Sequence, residues 1–194
     1  MGRTKAFDEQ EVLEKAMNLF WQKGYNATSA QDLVDELCIS RSSLYDTYRD
    51  KRSLFIKVLL QYRKEWIDPM IQKANIIVDA EAYIRELFSF IKKETFDVDG
   101  TRGCFWVNTA MEMAPVDPEV AEIVMAIMHD TENAFYKAIR KGQQQGVIST
   151  QHSARSLARF VLNAISGLRV SAKLDTSERI FDDVIKICLS AMKV

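Results

Sequence analysis

The chain has 194 residues, of which 47% are apolar and 27% charged, the balance of a folded domain and unlike that of a disordered one. A net charge of −1 excludes general attraction to nucleic acid, so any DNA contact has to come from a local surface. Three dispersed cysteines (Cys38, Cys104 and Cys188), no apolar core in the opening MGRTKAFDEQ and no long apolar run argue against a disulfide framework, a secretory signal and a membrane partner, and point to the cytoplasm.

Seven glycines and three prolines are too few for a turn-rich β protein, so long helices with short joints are expected. The first helix is predicted over Asp8 to Lys23, with Val12, Leu13, Ala16, Met17 and Phe20 on one face and Gly24 as its stop. Thr28 opens the second, in a capping-box pattern with Gln31, and Leu33, Val34 and Leu37 form its buried face. Ile39 lies in a joint, and Ser40 caps a third helix from Arg41 to Tyr48 with Leu44 and Tyr48 inward. Two short helices joined by a tight turn and braced by an earlier one have the shape of a helix-turn-helix, here about residues 29–48.

From Lys51 one long helix runs past Trp66 to about Asp68, where Pro69 must kink or interrupt it. Further helices are predicted over Glu81 to Phe96, Cys104 to Ala114, Glu119 to Gln145, Ser153 to Leu174 and Ser177 to Met192. Asp97–Gly100 and Pro115–Pro118 act as breaks, and Asp175 and Thr176 are candidate caps. The expected class is all-α with about nine helices: an N-terminal three-helix helix-turn-helix DNA-binding domain (5–65) and a C-terminal helical ligand-binding and dimerisation domain (66–194).

Basic and acidic residues nearly cancel over residues 1–52, but their distribution is uneven. From Ser40 to Arg52 there are four basic residues and two acidic ones, and Arg3 and Lys5 form a basic tail able to reach a groove. Short side chains at Ser42 and Ser43 let the third helix sit deep in a major groove, with Arg41 placed to fork onto a guanine.

The stretch Gly24-Tyr25, Thr28-Ser29, Asp32-Leu33-Val34, Ile39-Ser40-Arg41, Leu44-Tyr45, Lys51 and Leu54 resembles the DNA-binding domain of the TetR family of transcriptional regulators, over about Phe7 to Leu60. The chain departs from the family pattern at Leu37-Cys38, where Ala-Gly is usual, and at Thr47-Tyr48, where His-Phe is common. The resemblance implies a homodimer that binds double-stranded operator DNA and is released by a small-molecule effector. It also implies a DNA-contact set of Thr28, Ser29, Arg41, Ser42, Ser43, Tyr45, Thr47 and Lys51, with Ser29, Tyr45, Thr47 and Lys51 at backbone positions that orient without reading sequence.

Residues 62 to 135 are rich in large, soft side chains; any one of them alone reads as core, and the family resemblance favours a pocket within a helical bundle for the set. The expected lining is Tyr62, Trp66, Met70, Phe105, Trp106 and Met128, with Asn108, Thr109 and Glu112 as polar groups projecting from an apolar helix. Thr101 to Asn108 resembles the start of the sixth helix in one subgroup of the family, where small or electrophilic metabolites are among the ligands. Cys104 at that helix start is either a thiol sensor or a small buried residue.

The last two helices read as an association surface through Leu157, Val161, Ile165 and Leu168 on one and Phe181, Val184 and Ile185 on the other. No cluster has metal-ligand spacing, and no cofactor is expected; His129 and His152 stand alone. A constitutive DNA-architectural protein and a small helical enzyme remain alternatives. The enzyme has little to rest on, because no nucleophile elbow or phosphate-cradling loop is present and Asp182-Asp183 diverge on a helix.

Overall fold

Asp8, at the threshold of the first apolar repeat, accepts a hydrogen bond from Gln10 N and starts α1 (Glu9–Lys23). The computed structural model describes residues 7–96, 102–174 and 177–193. The basic tail at Arg3 and Lys5, the break at Asp97–Gly100 and the caps at Asp175 and Thr176 lie outside them. After α1 come α2 (Ala30–Leu37), α3 (Arg41–Tyr48) and α4 (Lys51–Tyr62), then a π-helical turn at Arg63–Ile67 and α5 (Asp68–Asn75). The C-terminal part continues with α6 (Ala80–Phe96), α7 (Phe105–Glu112), α8 (Pro118–Gln144), α9 (Ala154–Ala172) and α10 (Glu178–Ser190). Among the described residues there is no strand, and α4, the π turn and α5 form one bent rod, which makes nine rods in all.

Two local expectations are corrected. The cap of α2 is Ser29, whose Oγ accepts from Asp32 N while the Asp32 carboxylate accepts from Ser29 N; Thr28 is buried and donates its hydroxyl to Gly24 O instead. The long fourth helix is not a uniform rod to Asp68. Pro69 has no N–H, and the chain widens by one residue per turn before it, with Asp68 N donating to Arg63 O. Arg63 fastens that turn to Asp68 (3.5 Å) and to Asp130 of α8 (2.5 Å).

The turn between α2 and α3, where the chain departs from the usual Ala-Gly, is strained. Cys38 sits in the left-handed region (φ 54°, ψ 35°) that glycine occupies without a Cβ clash. Cys38→Gly should therefore stabilise the domain by about 0.5–1 kcal/mol; a lower urea midpoint for the variant would contradict that account.

Helices α1 to α4 close on Phe20, Leu33, Leu44, Tyr48, Leu54 and Phe55. In the C-terminal part α8 is central, with α5, α6, α7 and α9 packed on it, and α10 lies against α6 and α9. The two cores are joined by a chain of rings: Phe20 to Phe55 (5.1 Å), Phe55 to Phe105 (5.8 Å), and Phe105 to Tyr62 (5.4 Å) and Trp21 (5.8 Å). Phe105 is thus a plug between the domains.

The association stripe read from the sequence turns inward. Leu157, Val161, Ile165, Leu168 and Phe181 are buried in the chain's own core, and Val184 and Ile185 are half-buried. A 3.6-residue period reveals that a helix has an apolar face but not which neighbour covers it. The outward face of α9 is Phe160, Gly167, Val170 and, just past its end, Leu174; that of α10 is Ile180 and Ile187.

Candidate functional site

Ser40 caps α3 by accepting from Ser43 N (3.1 Å), and its hydroxyl also meets those of Ser42 (2.9 Å) and Ser43 (2.8 Å). The serine run therefore builds the helix start, and Leu44 and Tyr48 anchor the inner face. This leaves Arg41, Ser42, Asp46 and Arg49 exposed and Tyr45 and Thr47 half-exposed. Arg41 lies over the Tyr45 ring at 6.0 Å. Ser29 is exposed at the start of α2, whereas Thr28 is wholly buried and offers DNA no side chain. Arg49 is a further candidate that the sequence reading did not name. Its side chain is 90% exposed at the end of α3, and its place in the basic run was the available signal.

Lys51 has a different role from the one its position suggests. Its ammonium donates to Tyr25 O (2.9 Å) and Thr28 O (2.8 Å) and lies 4.2 Å from the Tyr25 ring centre. Burial pulls its pKa below the usual lysine value. The side chain pins the α1–α2 turn to the head of α4, so a phosphate would have to share it.

The same turn is gripped from the other side. Glu112, at the end of α7, accepts from Tyr25 N (3.0 Å) and Asn26 N (2.7 Å). Gly24 makes room for it: a Cβ there would stand 3.0 Å from the Glu112 carboxylate, and the residue has φ +83°. Beside this latch, Arg52 donates through Nε and one terminal nitrogen to the two oxygens of Asp117 (2.6 and 2.9 Å) and also to Glu119 (2.7 Å). That guanidinium holds the Asp117 carboxyl down at about 2, while Asp117 also caps α8 by accepting from Val120 N.

Under the π turn lies a cavity of about 560 Å³, walled by α4 to α9. Of the expected lining residues, Tyr62, Trp66, Met70 and Trp106 face it. The others do not. Phe105 is the inter-domain plug, Thr109 donates its hydroxyl to Phe105 O, Asn108 donates to Arg102 O, Glu112 forms the latch, and Met128 is 45% exposed on the outside of α8. These polar residues instead tie α7 to one of its own carbonyls, to the segment before it and to the helix-turn-helix domain. Cys104 lines the cavity as the N-cap of α7, buried, with its sulfur 3.6 Å from the Tyr62 hydroxyl.

The residues missed are the ionic ones. Arg169 of α9 and Glu94 of α6 form an ion pair on the cavity wall, each side chain only 11% exposed. An arginine following the apolar run of α9 and a glutamate beside Ile91 and Thr95 were visible signals of a buried pair. Burial pushes the Tyr62 phenol well above its ordinary pKa, and Tyr83, also on the wall, up to about 12. No group of histidine, cysteine and carboxylate side chains among the described residues could hold a metal. No helix of the described residues is long and apolar enough to cross a membrane.

The fold is thus a helix-turn-helix domain clamped to a helical domain that contains a cavity. The family described as bacterial regulatory proteins of the tetR family matches residues 12–58, and the tetracyclin repressor-like C-terminal domain matches residues 80–188. The chain is 31% identical over 193 residues to the uncharacterized HTH-type transcriptional regulator YezE of Bacillus subtilis, covering 99% of this chain and 100% of that protein. It is 30% identical over 177 residues to the HTH-type transcriptional repressor ComR of Escherichia coli, covering 89% and 82%. Among solved structures, a cysteine mutant of the TetR family regulator CifR, complexed with 26-bp operator DNA, superposes with a TM-score of 0.85 at 25% identity, covering 98% of this chain and 100% of that one. The chain belongs to the TetR family. It is a DNA-binding transcriptional regulator, and repressors are among its relatives.

Proposed function

We propose that the chain is a homodimeric repressor of the cytoplasm that holds a palindromic operator and lets go when a small apolar or aromatic effector enters the cavity. Residues 5–65 bind DNA, and residues 66–194 bind the effector and the second subunit. Arg41 reads a base edge, and Ser29, Ser42, Tyr45, Thr47 and Arg49 settle the protein on the backbone. The observation that carries this reading is that two cavity walls continue into the DNA-binding domain. The rod of α4 runs from Trp66 to the foot of α3, and α7 runs from Trp106 to the Glu112 latch. A constitutive architectural protein has no use for such a cavity.

An effector that fits only one arrangement of these walls shifts both helices and moves the paired recognition helices off the roughly 34 Å repeat of DNA. The dimer forms through the outward face of α9 and α10, where Gly167 permits close approach. The test is operator release by apolar aromatic compounds, followed by fluorescence anisotropy on an operator selected from random duplexes. Trp66→Ala should keep unliganded affinity within a few-fold, on the order of 1 kcal/mol, and lose the response. Normal release in Trp66→Ala would remove α4 from the mechanism, and the absence of release by any compound that binds the wild type would remove the effector.

A further inference from the structure

The charges around the cavity come in pairs. Inside, the only ionised side chains on the described wall are Arg169 and Glu94, bound to each other. At the rim, Lys73 is paired with Glu86 (2.6 Å), and Glu65 accepts from Gln10 (3.0 Å) and Gln61. A ligand carboxylate going inside would meet a guanidinium already neutralised by Glu94, and to reach it would pass a rim with one excess negative charge. A ligand cation would meet no free carboxylate inside. Desolvating either ion without a partner costs more than the apolar wall returns.

Donors, by contrast, are in surplus. A guanidinium carries five N–H groups, more than one carboxylate can take. The Tyr62 hydroxyl has only the Cys104 sulfur at 3.6 Å, a weak acceptor. Burial keeps that phenol protonated far above neutral pH, so it remains a donor. The hydroxyls of Thr131 and Ser166 are already spent on the carbonyls of Ile127 and Leu162.

We infer that the cavity selects neutral amphiphiles, a long or aromatic apolar body ending in a carbonyl-type acceptor that takes hydrogen bonds from Tyr62 and Arg169. This inference rests on the effector reading above and adds to it the chemical class of the effector. The Glu94 carboxylate then acts as a selectivity group: it cancels the charge that would otherwise draw in an anion.

The test uses three probes with the same ten-carbon chain: methyl decanoate, decanoate and decyltrimethylammonium. Binding at neutral pH is followed through the fluorescence of Trp66 and Trp106 on the wall. In the wild type the ester should bind about tenfold or more tightly than either ion. In Glu94→Gln, checked for folding by circular dichroism, decanoate should gain about tenfold while the ester changes little. Wild-type binding of decanoate or of the ammonium probe as tight as that of the ester would overturn the inference, even if the variant failed to fold. Unchanged decanoate affinity in folded Glu94→Gln would overturn the role of Glu94. If none of the three probes bound while an aromatic compound still released the operator, the inference would fall and the effector reading would stand.

Discussion

Val161→Glu should abolish the folded chain, whereas its neighbour Phe160→Glu should leave the chain folded and split the dimer. Val161 is 1% exposed and faces the core shared by α8 and α9, so a glutamate there is a desolvated charge with no partner. A cost of about 4–5 kcal/mol is comparable to the entire stability of a marginal domain. Phe160, a quarter-turn or so around the same helix, is 46% exposed. There a glutamate stays hydrated in the single chain, and in the proposed dimer it would be buried against the second subunit. Thermal unfolding by circular dichroism separates the first effect, and light scattering the second. A Phe160→Glu protein that stayed dimeric at micromolar concentration would show that this face is not the interface.

Glu94→Ala should cost about 3–5 kcal/mol, because it strands the Arg169 guanidinium in a wall that is mostly apolar. The pair as a whole contributes far less than that. Glu94→Leu combined with Arg169→Met removes both charges at similar volume, and the double variant should recover most of the loss. Denaturant midpoints of the two single changes and the double one would measure this. A double variant as unstable as Glu94→Ala would mean that the pair is worth its full apparent energy. A near-native double variant would mean that the pair is retained for what enters the cavity.

The helices were legible from sequence because each contains an apolar repeat, a cap and a stop. Asp8, Ser40 and Gly24 stand where such signals belong, and the bounds of α1 and α3 followed from them, whereas the roles of Thr28 and Lys51 did not. What could not be read was which stripe of a helix meets which neighbour. Val161 and Phe160 are adjacent in sequence and point to opposite destinies, and only the packing of α8 decides between them. The same holds for Glu112, which looked like a ligand group because its helix is apolar, yet its partners lie 86 and 87 residues upstream. Pro69 signalled an interruption, but the relief is distributed over the preceding five residues, where the local sequence is ordinary for a helix. Arg169 and Glu94 could be flagged singly; their pairing, at a separation of 75 residues, is a property of the fold.

The Glu112 latch is addressed to main-chain N–H groups, so it is indifferent to the side chains that carry them. Residues 25 and 26 can drift without loosening it, while position 24 admits only glycine and position 112 needs a carboxylate long enough to reach both amides. The joint is in effect a standard fitting. A recognition domain from another regulator should dock on this C-terminal domain if it presents the same bare turn to α7, an arginine to Asp117 and Glu119, and an aromatic socket for Phe105.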